Sequence, residues 1–186
     1  ATTQGQGTRT TLSQIVADEV GCRIEDIIMT AGDTAAIAQG VGAFASRQAI
    51  NAGSSALIAG GHVRSQVVAL AARVLGAPES DIDVEDGRAT ARSGNKPSTS
   101  LGELARLAQG MPGFSFAPGQ APGLEHTAYF TPPQASYCNG THVAEVEVDP
   151  FTGAVTILDY TVAHDSGNII NPLIVDGQVQ GGVAHG

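Results

Sequence analysis

The sequence predicts an α+β fold with mixed, largely antiparallel strands and one long buried helix. Residues 41–75 contain neither proline nor an acidic residue and are rich in Ala, Ile, Leu and Val, which favours a single long helix. Residues 82–92 alternate in polarity around an Asp-Gly pair, a typical hairpin signal. Residues 142–148 and 154–162 also alternate, on either side of an AspProPheThrGly turn, and predict a second hairpin.

The N-terminal half adds a shorter helix and an isolated strand to this outline. Apolar residues recur at helical spacing over residues 12–20, and Gly21 predicts the end of that helix. Residues 26–30 carry Ile-Ile-Met and predict a short buried strand before a turn. Within the long helix, a glycine such as Gly60 costs about 1 kcal/mol relative to alanine. We therefore expect strain or a close neighbour at that position.

The C-terminal half is predicted to contain two further helices. Ser100 and Glu103 have the spacing of a capping box and start the first of them. Residues 111–123 are rich in proline and glycine and predict an irregular connector, near which two lobes would meet. Residues 126–130 are a candidate strand, and a last helix begins near Leu173. The predicted order is therefore α, β, long α, ββ, α, βββ, α.

Composition and charge exclude several classes of partner. The formal net charge is -9, and no cluster of Lys and Arg occurs, which argues against nucleic acid and anionic membranes. Cys22 and Cys138 lie far apart without a CxxC spacing, and the five histidines form no HxH or HxxxH pair, so no metal site is predicted. This segment contains neither a signal-peptide pattern nor an apolar run of about 18 residues, which predicts a cytoplasmic protein.

Residues 40–45 read GlyValGlyAlaPheAla and fit the GxGxxA fingerprint of dinucleotide-binding folds. That fold also needs a strand leading into the first glycine and an acidic residue about 20 positions later. No Asp or Glu occurs between Asp33 and Glu79, which disfavours a nucleotide-dependent dehydrogenase. Two interpretations remain. Residues up to Ser46 could form an anion cradle at a helix N-terminus, or the glycines could allow tight helix packing.

Two glutamines lie in glycine-rich surroundings at opposite ends of the chain. Gln6 stands between Gly5 and Gly7, and Gln178 lies in GlyGlnValGlnGlyGly. A carboxamide offers both a donor and an acceptor and can bind a heterocycle edge, although such glutamines can also be plain surface residues. No nucleophile elbow and no glutamate in a catalytic motif occurs, so no catalytic residue is predicted within the chain.

These weak signals become specific through their order. Seven short motifs follow one another along the whole chain: GlyGlnGly, GlyAspThr, GlyValGlyAlaPheAlaSerArg, AlaTyrPhe, ValGluValAspProPheThrGly, AspSerGlyAsnIleIleAsnPro and GlyGlnValGlnGlyGlyValAlaHisGly. In this order they resemble the molybdopterin-binding large subunit of the xanthine dehydrogenase and aldehyde oxidase family, including carbon monoxide dehydrogenase-like members. The resemblance implies that the chain is a fragment of a molybdenum hydroxylase large subunit and a partial cofactor-binding domain.

The resemblance also implies a cofactor and the residues that bind it. Enzymes of this family hydroxylate an aldehyde or an N-heterocycle and pass electrons through 2Fe-2S clusters to FAD on partner subunits or domains. Their cofactor is molybdopterin, with the cytosine dinucleotide form left open here. The residues that match cofactor-contacting positions are Gln6, Gly7, Ala43, Phe44, Ala45, Ser46, Gln178 and His185. Two departures stand out: many members have Gln where this chain has His185, and Thr8-Arg9 replaces a frequent His-Glu pair.

The resemblance further implies that the general-base glutamate and part of the metal pocket lie outside residues 1–186. We therefore expect this chain alone not to turn over substrate, and the remainder of the large subunit to be a partner. The alternative is a non-catalytic binding or scaffold module that retains the fold. If Val175, Val179 and Val183 normally pack against other segments, the isolated chain should self-associate through them. The substrate, a small molecule, is not defined by the residues present.

Overall fold

The fold is described from a computed structural model that covers residues 1–37, 40, 42–109 and 122–186. The chain divides into two compact units, Ala1–Pro132 and Pro133–Gly186. Most of the predicted connector at 111–123 lies outside the described residues, so the position of a lobe boundary there stays a prediction.

The described residues form four α-helices and five strands in two antiparallel sheets, which confirms the predicted α+β class. The helices are α1 Thr8–Val20, α2 Ser54–Leu75, α3 Leu101–Ala108 and α4 Pro172–His185. The strands are β1 Ile82–Glu85, β2 Arg88–Ala91, β3 Ser98–Ser100, β4 Asn139–Val148 and β5 Val155–Asp165. Within the described part of the chain, no helix is both long and apolar enough to cross a membrane.

The core of the first unit lies between α2 and the three-stranded sheet β1-β2-β3. α2 contributes a buried stripe that includes Val67, Leu70 and Ala71, at the three- and four-residue spacing of one helix face. The sheet contributes alternate residues of β1 and β2, and α3 closes the same cluster with Leu104, which is fully buried. The long helix is therefore confirmed, and its apolar face is what holds the unit together.

The first hairpin and the capping box are confirmed in detail. β1 and β2 pair antiparallel, and the Asp-Gly turn between them has positive φ at both Asp86 (48°) and Gly87 (75°). This conformation suits the twist of a two-residue hairpin turn. The Ser100 hydroxyl accepts from the Glu103 backbone N–H, while the Glu103 carboxylate accepts from the Ser100 backbone N–H. β3, which was not predicted, ends at the capping residue Ser100.

Gly60 does not break the long helix. A Cβ at position 60 would lie 3.0 Å from Glu19 Cβ, so the missing side chain lets α1 approach α2 closely. Of the two expectations for Gly60, the close neighbour is therefore the one observed. Helical structure starts later than predicted, at Gln48, six residues before α2 itself, because Gly42 (φ 80°), Ala45 (φ 55°) and Ser46 (φ 51°) have left-handed backbone. A π-helical turn, Ala49–Gly53, leads into α2.

Two predicted strands are wrong. The segment expected at 26–30 begins in the last residue of a short 3-10 helix, Ile24–Asp26, and continues without regular structure. Its Ile28 is 94% exposed, so the apolar run is not a buried strand. Residues 126–130 are also irregular, and Tyr129 is 75% exposed. Both runs have the composition of a strand but no neighbouring strand to pair with in the described structure, and a β-ladder needs that partner.

The second unit consists of the long hairpin β4-β5 and helix α4. The hairpin confirms and extends the prediction, with a register irregularity between Glu145 and Val146. α4 begins at Pro172, and the Asn171 side chain accepts from the Ile174 backbone N–H, a standard N-terminal cap. The α4 residues Val175, Val179 and Val183 are half-buried.

The pairing register gives the second hairpin one apolar and one polar face. On the apolar face, Tyr160 and Val162 line a cleft together with Val179 and Val183 of α4. The turn end of the same face stays open. Its four residues, here called the open patch, are Val146, Val148, Val155 and Ile157, each between 47% and 62% exposed. The opposite face carries Glu145, Glu147, Thr156 and Asp159.

Candidate cofactor-binding site

Gln6 lies in a tight turn just before α1. Gly5 and Gly7 on either side of it have φ values of 95° and 77°, which residues with a Cβ rarely adopt. Gly7 is the residue that caps the helix, and its carbonyl accepts from the Thr11 backbone N–H over 3.0 Å. The two glycines thus place the half-buried Gln6 at the end of α1.

The Gln6 side chain contacts the start of the long helix. Gln6 Nε2 donates to Gln48 Oε1 over 3.0 Å, and the buried Thr8 hydroxyl donates to the same oxygen over 3.0 Å. Gln48 Nε2 donates in turn to the backbone carbonyl of Thr2 over 2.8 Å. Gln48 therefore connects the N-terminal turn to the helix that follows residues 43–46. Sequence analysis missed Gln48, because a single glutamine at a helix start carries no recognisable pattern.

Residues 43–46 form a strained turn ahead of the same helix. Ala45 and Ser46 both have positive φ, at 55° and 51°, and such conformations in residues other than glycine cluster at functional sites. The Arg47 guanidinium lies 4.0 Å from the centre of the Phe44 ring, in cation–π contact. Phe44 remains 54% exposed. The turn therefore presents an aromatic ring and a strained backbone to solvent.

The electrostatics of this turn suit an anionic group. The first N–H groups of a helix have no intrahelical partner, and the helix dipole adds partial positive charge at the same end. Here the helix starts at Gln48, immediately after the Arg47 cation. The preceding residues 27–37 contain no strand, so the βαβ unit of a dinucleotide-binding fold is not formed there. The anion-cradle interpretation thus fits the geometry better than the dehydrogenase one.

Gln178 and His185 lie on α4 in the second unit. Both side chains are exposed. They are seven residues apart, which is close to two helical turns, so they share one side of α4. The structure therefore joins the Gln6 turn to the helix that follows residues 43–46 through Gln48, and separately places Gln178 on the same side of α4 as His185.

The first unit also contains surface grooves that are not lined by Gln6 or residues 43–46. One of about 770 Å³ runs beside α2 and is lined in part by His62 and Gln66. There the His62 and His126 rings stack with centroids 4.0 Å apart, and Gln66 Nε2 donates to the Glu125 carbonyl over 3.2 Å. These contacts fasten the segment after residue 122 to α2, which is a structural role. Among the described residues, no group of three or more His, Cys, Asp or Glu could hold a metal ion.

Comparison with known proteins decides the family. A family model described as the molybdopterin cofactor-binding domain matches residues 1–186. The chain belongs to this family. The family is described by the cofactor that it binds, and the curated relatives include the xanthine dehydrogenase molybdenum-binding subunit of Escherichia coli O157:H7.

Two curated relatives illustrate the similarity. The chain is 38% identical over 183 residues to the nicotine 6-hydroxylase large subunit of Paenarthrobacter nicotinovorans, covering 98% of this chain and 22% of that protein. It is 33% identical over 184 residues to the carbon monoxide dehydrogenase large chain of Hydrogenophaga pseudoflava, covering 99% of this chain and 22% of that one. The chain thus spans about a fifth of the length of these relatives.

Solved structures show the same architecture. Reconstituted CO dehydrogenase from Oligotropha carboxidovorans superimposes with a TM-score of 0.84 at 31% identity, over 98% of this chain and 22% of that one. Quinoline 2-oxidoreductase from Pseudomonas putida 86 gives a TM-score of 0.83 at 35% identity, over 98% of this chain and 23% of that one.

Proposed function

We propose that residues 1–186 contribute part of the cofactor site of a molybdenum hydroxylase large subunit. The observation that carries the proposal is the linkage of Gln6 to the strained Ala45–Ser46 turn through Gln48, in a chain of the molybdopterin cofactor-binding family. The residues proposed to contact the cofactor are Gln6, Gly7, Ala43, Phe44, Ala45, Ser46, Gln178 and His185.

The chemistry of these residues fits the group. Molybdopterin combines a heterocycle, which needs hydrogen-bond partners at its edge, with a phosphate, which needs a positive end. Gln6 supplies a carboxamide for the former. Arg47 and the helix start that follows residues 43–46 supply a positive end for the phosphate. Gln178 and His185 offer a second carboxamide and an imidazole on one side of α4.

The proposed reaction is oxidative hydroxylation of an aldehyde or an N-heterocycle. When bound, the cofactor supplies the redox chemistry, and electrons leave through 2Fe-2S clusters to FAD on partner subunits or domains. The residues of this chain bind and orient the cofactor. We assign the general-base glutamate to a segment of the large subunit outside residues 1–186, so that this chain by itself binds without turning over. The names of the relatives, a large subunit and a complex subunit gamma, support an assembly of several subunits.

The proposal extends to three finer points. The first is whether the cofactor carries a cytosine dinucleotide, which CMP released on hydrolysis would reveal. The second is a boundary between two lobes of the partial domain near residues 111–123. The protein is cytoplasmic, which fractionation of the source cells tests.

The test uses the full gene product that contains residues 1–186. We expect the purified protein to contain molybdenum and pterin, and to oxidise an aldehyde or an azaheterocycle with a dye as electron acceptor. Gln6→Met should reduce pterin content. The matched control is Gln109→Met, which changes an exposed glutamine at the end of α3 and should leave that content unchanged.

Two outcomes would change the proposal in different ways. A protein that holds no pterin after expression with a complete cofactor supply would overturn cofactor binding itself. A protein that holds pterin but oxidises none of the test substrates would favour the scaffold module over the hydroxylase. Equal pterin loss in Gln6→Met and Gln109→Met would show that Gln6 does not contact the cofactor.

A further inference from the structure

The orientation of the Gln48 carboxamide is fixed by its neighbours. The Thr2 carbonyl can only accept a hydrogen bond, so the Gln48 atom 2.8 Å from it must be Nε2. Gln48 Oε1 therefore faces the other way, where it accepts from Gln6 Nε2 and from the Thr8 hydroxyl. Thr8 is only 5% exposed, and a buried hydroxyl needs such a partner. Both acceptor positions of this oxygen are then used.

The orientation of Gln6 follows from that of Gln48. Its Nε2 donates to Gln48 Oε1 and lies 3.3 Å from the Thr2 carbonyl, so both of its N–H groups point at acceptors within the protein. Its Oε1 accepts from the Gln4 backbone N–H. A carboxamide oxygen can accept two hydrogen bonds, so the remaining capacity of Gln6 is that of an acceptor.

We propose that Gln48 is a positioning residue that holds Gln6 as a hydrogen-bond acceptor for an N–H group on the heterocycle of the bound cofactor. This inference rests on the proposed function, since it concerns the same site. Gln48 also stands two residues after Ser46, so the same side chain fixes the distance between the Gln6 turn and the strained turn that faces the anionic part of the ligand.

Two substitutions at position 48 test the inference, because hydrogen-bond chemistry and net charge predict opposite orders of cofactor retention for them. Gln48→Glu keeps an oxygen that accepts from Gln6 and Thr8, and the exposed Thr2 carbonyl that loses its donor can turn to water. Gln48→Lys has similar length but only donors, so it forces the Gln6 amide to flip or to lose its partner. For an anionic cofactor, charge alone would favour Lys over Glu.

The experiment compares Gln48→Glu, Gln48→Lys and the control Gln109→Lys in the full gene product, purified with its cofactor. Pterin release is followed over time, and backbone hydrogen exchange is measured over residues 2–8. We expect Gln48→Lys to release pterin about tenfold faster than wild type, the size of effect typical when a residue that orients a ligand-binding group is replaced. Gln48→Glu should release pterin more slowly than Gln48→Lys, because it keeps the oxygen that accepts from Gln6. Gln109→Lys should match wild type, and exchange should rise in Gln48→Lys alone.

The outcomes separate this inference from the proposed function. Pterin retention by Gln48→Lys equal to or better than that by Gln48→Glu would overturn the inference while leaving cofactor binding in place. A wild-type protein without pterin would overturn the proposed function, and the ligand assignment of Gln6 with it. If Gln48→Lys does not fold, Gln48→Met takes its place in the experiment. Its thioether has no donor and accepts far more weakly than the Gln48 carboxamide, so Gln48→Met should release pterin as fast as is expected of Gln48→Lys.

Discussion

Gly21 at the end of α1 lies directly against the carbonyl of Val84 in β1. A Cβ at position 21 would overlap the Val84 carbonyl oxygen and would lie 2.7 Å from Arg64 Nη1. Gly21 also has a φ of 83° and accepts from the Gly87 backbone N–H over 2.9 Å. The end of α1, the long helix α2 and the first hairpin therefore meet at a position where only glycine fits.

Replacing Gly21 by alanine should destabilise the first unit strongly. The new methyl group cannot occupy its place without moving β1, and the left-handed backbone adds a further cost. We expect Gly21→Ala to lower the free energy of unfolding by about 2–4 kcal/mol, in the range of overpacked or strained sites. Urea denaturation followed by helical circular dichroism measures the change.

The matched control is Gly76→Ala. Gly76 also ends a helix with positive φ (66°), but nothing lies within 4 Å of its would-be Cβ. Its replacement should cost only about 0.5 kcal/mol, because the left-handed backbone cost of about 1 kcal/mol is partly offset by the smaller freedom of alanine in the unfolded chain. Equal losses in the two variants would show that the contact with Val84 contributes nothing.

The capping box at α3 should make stability depend on acidic pH. The Ser100 backbone N–H, and then the Ser100 and Thr99 hydroxyls, donate to the Glu103 carboxylate and lower its pKa from 4.5 to about 2. Because the folded pKa lies below the unfolded one, this stabilisation is complete above pH 4.5 and is lost as the pH falls towards 2.

Glu103→Gln should remove that part of the pH dependence. We expect wild type to be more stable than the variant near pH 6, with the difference shrinking between pH 4.5 and pH 2. Urea denaturation of both proteins across this range gives the comparison. A difference that stays constant with pH would mean that the carboxylate charge is not what the cap uses.

The elements that could be predicted from sequence are those whose signal is local. An Asp-Gly turn, a Ser-x-x-Glu box and a long apolar run each define their structure within a few residues, and all three are observed. The strand predicted at 26–30 failed because a strand also needs a partner, which no local pattern encodes. β3 was missed for the converse reason: its Ser-Thr-Ser sequence forms a strand only because β2 lies beside it.

The candidate site divides in the same way. Gln6 and residues 43–46 could be named from sequence because their motifs follow a known order. Gln48 could not, since its importance lies in hydrogen bonds to Gln6 and Thr8 across about 40 residues of chain. The left-handed conformation of Ala45 was equally hidden, because alanine gives no sign of positive φ.

The left-handed backbone of Ala45 predicts how its replacement by glycine affects stability. Left-handed geometry destabilises the folded state by about 1 kcal/mol or more when the residue has a Cβ. A glycine instead stabilises the unfolded state by about 0.4–1 kcal/mol, because its backbone has more freedom there. Ala45→Gly should therefore leave stability unchanged or raise it by about 0.5 kcal/mol. Ala43, two residues earlier, does not have a positive φ, so Ala43→Gly should lower the free energy of unfolding. Urea denaturation of both variants decides the point, and losses of equal size would contradict the strain at Ala45.

The open patch on the second hairpin predicts self-association of residues 1–186. The α4 valines at 175, 179 and 183 are half-buried, so they are weaker candidates than the sequence indicated. Ile157 and Val146 pair across the strands with 61% and 47% exposure, and adjoin Val148 and Val155. Apolar surface of this kind marks contact sites. We expect the chain to sediment as an oligomer whose population grows with concentration.

Ile157→Lys should shift that equilibrium towards monomer, because it places a charge in the centre of the open patch. Thr156→Lys is the matched control, since Thr156 pairs with Glu147 on the opposite, polar face of the same strand and its replacement leaves the patch intact. Sedimentation velocity at several concentrations gives the populations. If both variants associate as wild type does, the contact lies elsewhere on the chain. A wild-type chain that stays monomeric at high concentration would show that the open patch does not drive association.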